Sequence, residues 1–225
     1  MKLSRLCAAA AKALIHKTTG HQAMLCTIQN ETSIDCHEAG HHDGDILEKV
    51  RLLGKKYNIH SIIPLKTEDI AIAHWVQLKC KFGCQKFGKS WCCPPETPTP
   101  DKTEALLKEY HKALLLCGRL RNGDFYKNNS VKRKIQVNTW KGTVALERYL
   151  FLAGYYKAFS LVSESCALCK KCAYPVECKF PMDRRPSVES CSIDIFQTLK
   201  NIGKPFEIAK NVNDEYNCYS IILLE

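Results

Sequence analysis

The sequence predicts an α/β fold, in which a sheet is covered by helices and cysteine-rich metal-binding loops lie between them. Along residues 46–225, short apolar stretches of strand type alternate with longer amphipathic stretches. This alternation is typical of domains built from layers of sheet and helix. Because 45% of the 225 residues are apolar, the chain can also bury the core of such a fold. The order of the strands does not follow from the sequence.

The first half of this region contains two predicted helices and two predicted strands. Capping residues, period-two alternation and proline position indicate their type and place. They are a helix from Asp45 with Glu48 as its capping partner, a strand over residues 59–65, a strand over Ile70, Ile72, His74, Val76 and Leu78, and a helix from Thr99 and Pro100 to about His111. In the second strand, His74 is expected to be a core histidine.

The second half contains further predicted elements, divided by a polar segment that indicates a loop. The elements are a strand over residues 113–117, a loop over 122–138, an amphipathic helix over 143–160, and a helix that Ser187 caps and Gly203 closes. Two strands over 206–209 and 219–224 follow. The apolar face of the Ser187 helix would consist of Val188, Cys191, Ile195 and Leu199.

Residues 1–45 are predicted to be a leader or a disordered extension that precedes a cysteine-rich metal-binding domain at 46–225. The first thirty residues contain Lys2, Arg5, Lys12 and Lys17 and no acidic residue, as in an organelle transit peptide. A translated upstream extension or a basic amphipathic helix is the alternative. We therefore expect a cytoplasmic protein, or one of an organelle matrix if residues 1–30 are a transit peptide.

Charge and hydropathy give no support for nucleic-acid or membrane binding. Although the formal net charge is +10, only Lys132, Arg133 and Lys134 stand in one basic run. The most apolar stretch, residues 144–159, is interrupted by Glu147 and Arg148. A glycine-rich phosphate loop is absent from the sequence, so a nucleotide cofactor has no support either.

The strongest motif is a run of four cysteines, Cys166, Cys169, Cys172 and Cys178. Gaps of two residues allow three thiolates to converge on one cuboidal cluster, as in ferredoxin-type [4Fe-4S] sites. The fourth cysteine follows after five residues instead of three. Zinc sites more often have paired Cys-x-x-Cys knuckles that a longer loop separates, and zinc stays the alternative metal.

A second group of cysteines precedes the proline cluster. Cys80, Cys84 and Cys93 offer three ligands from one segment, and Cys92 is not required as a ligand. Because neighbouring side chains of an extended chain project oppositely, we expect Cys92 to point away from the other three. The sequence thus predicts one or two iron-sulfur clusters.

Four ordered motifs give a resemblance to a known family. They are Cys80, Cys84, Phe87-Gly88-Lys89 and Cys93-Pro94-Pro95; Gly154-Tyr155-Tyr156-Lys157-Ala158; the run from Cys166 to Cys178; and Arg185-Pro186-Ser187-Val188-Glu189 followed by Ile193-Asp194-Ile195-Phe196. The chain resembles the cysteine-rich predicted metal-binding proteins of anaerobic bacteria and archaea that are catalogued as a domain of unknown function. The resemblance implies metal binding, with iron-sulfur clusters as the expected form, and no established reaction.

Three positions depart from the family pattern. Phe87 stands where tyrosine is usual, Cys92 where serine is usual, and Cys191-Ser192 where a small residue and glycine are expected.

Two functions fit these residues. In a cluster-dependent redox enzyme, Cys80, Cys84 and Cys93 would leave one iron that either binds a small-molecule substrate or is closed by Cys92. Arg185 and Glu189 would be the catalytic candidates, and Arg184 and Asp194 the weaker ones. In a carrier or accessory protein, the clusters would serve electron transfer with a redox partner protein. A zinc-binding structural protein without catalysis is the remaining alternative.

Overall fold

A four-stranded antiparallel sheet lies at the centre of the computed structural model, which describes residues 43–121, 129–206 and 208–225. The strands are β1 (Ile59–Lys66), β2 (Lys112–Arg121), β3 (Phe159–Leu161) and β4 (Glu215–Leu223), in the order β1-β2-β4-β3. The helices are α1 (Asp43–Lys55), α2 (His74–Gly83), α3 (Pro100–Leu107), α4 (Asn129–Leu152) and α5 (Ile195–Asn201), with 3-10 turns at Thr67–Asp69 and Glu189–Cys191. The predicted α/β fold is confirmed.

Both faces of the sheet are covered, because successive residues of the central strands enter different cores. In β2, Leu114 and Leu116 pack with apolar residues of α1 and α4. Ala113 and Leu115 face the other side, where residues of α3, α5 and the Glu189–Cys191 turn cover them. A strand that is buried on both faces reads as a continuous apolar run, which explains the sequence of residues 113–117.

A third, smaller core connects α4 to the cysteine-rich segments. Trp140 and Val144 of α4 pack there with Cys92, Val162 and Leu168. The indole nitrogen of Trp140 donates a 2.7 Å hydrogen bond to the carbonyl of Asp183. The long helix α4 therefore supports both the sheet and the loops that contain the candidate ligands.

The strand predicted from Ile70 to Leu78 is wrong, since α2 begins at His74. Ile72 forms only an isolated bridge with Ile193. His74 is not a core residue: its side chain is 76% exposed and its Nε2 lies 3.8 Å from Asp101 Oδ1. Val76 is the one buried residue of α2, so the apolar side chains of this helix do not form a core face.

The loop predicted over 122–138 is wrong from residue 129 onward, because α4 begins at Asn129. Polar side chains of its first turns bond the cysteine-rich segment: Arg133 Nη2 donates to Leu168 O at 3.0 Å, and Gln136 Nε2 to Ser165 O at 2.7 Å. The polar composition thus reflects a polar tertiary contact. The helix also ends at Leu152, and Ser160 belongs to β3.

The single helix predicted after Ser187 is divided in two. Ser192 has a φ of 62° and a left-handed backbone, which ends the 3-10 turn, and Asp194 then caps α5 by accepting from the amides of Phe196 and Gln197. Ser187 instead accepts a 3.0 Å bond from the amide of Ser190.

Smaller differences concern the ends of elements. The helix α1 begins two residues before Asp45, and α3 ends at Leu107 although Thr99 is its cap as predicted. Phe206, Ile208 and Ala209 lie outside the strands.

The prediction for residues 1–45 falls outside the described residues, apart from the last three, which belong to α1. Within the described ranges, the helices are too short or too polar to cross a membrane.

Candidate metal centre

Thiols of both cysteine-rich segments line one cavity of about 480 Å³. Cys80, Cys84 and Cys93 come from the first segment, and Cys166 and Cys169 come from the second. Cys172 and Cys178 are half-buried nearby and are not among the lining residues.

The end of α2 and one tight loop position the first three cysteines. Cys84 caps the helix through a 3.3 Å bond from its amide to Cys80 O, so the two side chains stand one turn apart. Gly88 donates to Pro94 O at 2.8 Å, which returns the chain toward α2 and brings Cys93 to the cavity. Gly88 has a φ of 64°, a conformation that favours glycine.

The second cysteine segment is bound to the first by aromatic residues and to α4 by the polar bonds described above. Trp91 donates from its indole nitrogen to Val176 O at 2.8 Å. Its ring also meets Tyr174 edge-on, with 5.0 Å between the centroids. These contacts, together with α4, place the two segments on one cavity.

The thiols are close enough to influence one another's protonation. Burial raises the pKa of Cys93 to about 11, with negative charge at Cys84, Cys80 and Cys166 adding to the effect. The pKa of Cys169 is likewise raised, first by burial and then by charge at its three neighbours in the run, Cys166, Cys172 and Cys178. Electrostatic coupling therefore links the four cysteines of the second segment, and links both segments to each other.

Cys92 lies outside the cavity, in the small core beside Trp140. Its thiol hydrogen-bonds to Cys166, which raises the pKa of Cys92 and lowers that of Cys166 to about 7. The backbone at Cys92 and Cys93 is turned and not extended. The two side chains therefore separate, but not through the alternation along an extended chain that the sequence led us to expect.

The donor set suits a thiolate-bound metal. Five thiols line the cavity, and its described lining includes no histidine. Within the described ranges, no three side chains of His, Cys, Asp or Glu already stand as ligands of one ion. Soft sulfur ligands select iron-sulfur clusters or zinc over Mg²⁺ and Ca²⁺. Basic residues in the lining, Lys86, Lys132, Arg133 and Lys170, would stabilise thiolates.

The catalytic candidates Glu189 and Arg185 have different positions. Glu189 lines the cavity, and its carbonyl accepts a 3.9 Å bond from the thiol of Cys80. Its Oε2 is buried and has no hydrogen-bond partner in the described part of the chain, and burial raises the pKa of its carboxyl. A buried oxygen of this kind is costly unless a ligand or a proton compensates it.

Arg185 is not among the lining residues. Its guanidinium forms a bidentate pair with Glu147, at 2.8 Å from Nε to Oε2 and 2.6 Å from Nη2 to Oε1. The other two candidates also make structural contacts: Arg184 lies over the Trp91 ring at 5.5 Å, and Asp194 caps α5.

Sequence reasoning missed Glu164 and the role of Lys132 and Arg133 in the cavity wall. Lys132 Nζ lies 3.5 Å from Glu164 Oε1, which also accepts from the Tyr216 hydroxyl at 3.1 Å. The basic run of residues 132–134 was visible in the sequence, but its nearness to the cysteines depends on α4 beginning at Asn129. Glu164 has no distinguishing signal apart from its place two residues before Cys166.

Comparison with known proteins agrees with this geometry. The model of the family described as "Predicted metal-binding protein (DUF2284)" matches residues 63–224, a span that includes every candidate ligand cysteine. No curated protein and no solved structure matches the chain. The expected restriction to anaerobic bacteria and archaea stays a prediction. The chain therefore belongs to DUF2284, a family of predicted metal-binding proteins.

Proposed function

We propose that the protein binds one or two iron-sulfur clusters of the [4Fe-4S] type and acts in electron transfer or in cluster-dependent redox chemistry. The ligands would be Cys80, Cys84 and Cys93 in the first segment and Cys166, Cys169, Cys172 and Cys178 in the second. The single observation that carries the proposal is the cavity that thiols of both segments line.

The number of thiols and the size of the cavity favour a cluster over a zinc ion. A structural zinc site is closed around one ion by four ligands. Here five thiols surround about 480 Å³, which is more donors and more space than one zinc ion requires. When bound, a cluster supplies one-electron redox chemistry, whose potential depends on hydrogen bonds to sulfur and on burial.

The chain's own residues would tune such a centre. The amide of Lys86 donates to Cys84 Sγ at 3.4 Å, and the amide of Phe180 donates to Cys178 Sγ at 3.4 Å. Hydrogen bonds of this kind stabilise the thiolate form of a ligand. The carboxyl group of Glu189, beside Cys80 in the cavity wall, could carry a proton or accept a hydrogen bond from a bound molecule.

A zinc-binding structural or accessory role is the second candidate. It is favoured by the scarcity of regular structure between β3 and α5, where the one named element is the Glu189–Cys191 turn. Loops of this kind are often held in place by structural zinc, and the metal then contributes directly to folding.

Anaerobic purification followed by analysis of iron, acid-labile sulfide and zinc distinguishes the two. We expect iron and sulfide in about equal amounts and an electron paramagnetic resonance signal on reduction. Cys93→Ser and Cys169→Ser should each lose iron, because each removes a thiol from the cavity. Stoichiometric zinc without sulfide would contradict the iron-sulfur proposal.

Two matched controls test the ligand assignment. Cys92→Ser changes the residue next to Cys93, and Cys117→Ser changes a half-buried cysteine of β2 that is not among the lining residues. Both variants should retain their iron. If Cys92→Ser lost iron and Cys93→Ser kept it, the assignment within this segment would be wrong.

A further inference from the structure

We infer that an apolar groove next to the candidate metal centre is the docking surface for a small acidic electron-carrier protein. This inference rests on the proposed redox function. The docking groove is defined by Trp75, Leu78 and Phe82 of α2 and by Phe196 and Phe206 on and after α5.

The apolar stripe of α2 faces solvent. Trp75, Leu78 and Phe82 are spaced by three and four residues and so lie on one side of the helix. Their exposed fractions are 39%, 58% and 79%. An amphipathic helix normally turns such a stripe toward the core, and a contiguous exposed patch marks an interaction site.

The opposite wall of the groove is also aromatic. Phe196 and Phe206 stack with 3.9 Å between their ring centroids, and both are exposed. The groove between α2 and α5 measures about 1150 Å³. This volume exceeds the range of about 300–1,000 Å³ that is usual for small-molecule pockets, and it suits a segment of a protein surface.

The docking groove is continuous with the thiol cavity. Cys80, Cys84, Lys86 and Glu189 line both. Cys84 is exposed. A protein that occupies the groove would therefore lie against two of the proposed ligands.

Lysines without a carboxylate partner among the described residues surround the apolar centre. Lys79, Lys86, Lys200 and Lys204 line the groove or its extension, and among the described residues none of them has a carboxylate within salt-bridge distance. The two acidic residues of the wall, Asp194 and Glu189, form no salt bridge with these lysines. Asp194 is engaged in capping α5, and the Oε2 of Glu189 is buried.

The positive charge around the groove favours an acidic partner over a second copy of the chain or its own basic first thirty residues. A second copy would bring two lysine rims together in a chain whose net charge is already +10. The basic first thirty residues, with Lys2, Arg5, Lys12 and Lys17, would meet the same repulsion. A partner with an apolar patch ringed by carboxylates matches both the centre and the rim, and opposite charge accelerates and orients encounter. Beside a redox centre, this chemistry is that of a small acidic electron carrier.

Binding of two defined carriers to the full, iron-loaded protein tests the inference. The probes are purified acidic proteins, a two-cluster bacterial ferredoxin and a flavodoxin, and the measurement is anaerobic calorimetric titration at several salt concentrations. At least one carrier should bind at low salt and weaken as salt rises. Phe82→Ser and the double variant Lys79→Glu/Lys200→Glu should each weaken binding by about tenfold or more.

Controls of matched chemistry lie outside the groove. Leu52→Ser changes an exposed leucine of α1, and Lys56→Glu changes an exposed lysine after α1. Both should bind as the unchanged protein does. The inference would be overturned if neither carrier bound, or if the groove variants bound as tightly as the unchanged protein.

Two further outcomes would also overturn it. One is a dimer that Phe82→Ser converts to a monomer, and the other is a photo-crosslink from position 82 to the chain's own residues 1–42. Iron is measured in the same samples. A loaded protein that fails to bind contradicts the docking surface alone, whereas an iron-free protein contradicts the proposed function.

Discussion

Arg185 illustrates how one residue can belong to a family motif and yet lie outside the candidate site. Its side chain and that of Glu147 are 14% and 9% exposed, which makes theirs the most buried ion pair among the described residues. Glu147 also accepts a 2.8 Å bond from the amide of Ser160 at the start of β3. The pair thus joins α4, β3 and the segment after the cysteine run.

Arg185→Lys is expected to lower the free energy of unfolding by about 3 kcal/mol, because lysine cannot reproduce the planar bidentate contact with a buried carboxylate. Urea unfolding measures the loss, and iron content should stay unchanged. An unaltered free energy of unfolding together with a changed cluster spectrum would instead indicate that Arg185 is a catalytic candidate.

At the scale of elements, α4 requires a glycine where helix propensity argues against one. Gly142 lies in the middle of the helix, and a Cβ built there would overlap the side chain of Tyr57, which follows α1. The absence of a side chain thus allows the turn after α1 to approach α4 closely.

Gly142→Ala should destabilise the protein by about 1–2 kcal/mol, although alanine favours a helix by about 1 kcal/mol, because overpacking against Tyr57 outweighs the gain. The measurement is urea unfolding of a double-mutant cycle with Tyr57→Gly, because the Cβ of Tyr57 is itself one of the overlapping atoms. In the Tyr57→Gly background the same substitution should be neutral or stabilising. Equal effects in both backgrounds would mean that Tyr57 does not cause the loss.

The elements that the sequence predicts well are those whose pattern reflects burial in the sheet. The apolar runs that became β1, β2 and β4 were recognisable for this reason. The residues from Ile70 to Leu78 also alternate, and Ile70 and Ile72 do pack on the core ahead of α2. Within α2, however, Leu78 lines a groove and Val76 is the one buried residue. Apolar periodicity therefore predicts a core-facing element only where the apolar side packs against the core and is not left at the surface.

The thiol groups that line the candidate site were predictable from the sequence, and the shape of the site was not. Cysteine spacing identified both thiol groups, because spacing is a local property. Their convergence depends on long-range contacts such as those of Trp91 and Arg133, which spacing does not encode. Glu164 likewise joins the site through packing, so the sequence did not distinguish it from an ordinary surface carboxylate, whereas Glu189 was a candidate from the sequence and lines the cavity.

For the whole molecule, the sheet and the cysteine-rich layer have separate supports. The two large cores cover the sheet with residues of α1, α3, α4 and α5. Among the described residues, the core that the cysteine-rich segments share with α4 contains five buried residues. The bridge between Val162 and Ser187 closes the loop that contains the second cysteine run. Metal bound in this layer would stabilise it more than the sheet.

Removal of the metal should therefore raise hydrogen exchange mainly between residues 163 and 186, since this part has no named helix or strand and lies outside the two large cores. The amides of β2 and β4 should keep their protection. Mass spectrometry of the loaded and the chelated protein measures both regions at once. Equal loss of protection throughout the sheet would show that metal and fold form one cooperative unit.

The strand order has a further consequence for biosynthesis. Strand β4, the last element along the chain, lies between β2 and β3, so the sheet cannot close until residue 223 has left the ribosome. Both cysteine runs are translated well before that moment and would have no folded scaffold while elongation continues. Loading of the proposed metal is thus expected after translation, and premature termination within β4 would leave a nascent polypeptide with all of its candidate ligands and an incomplete sheet.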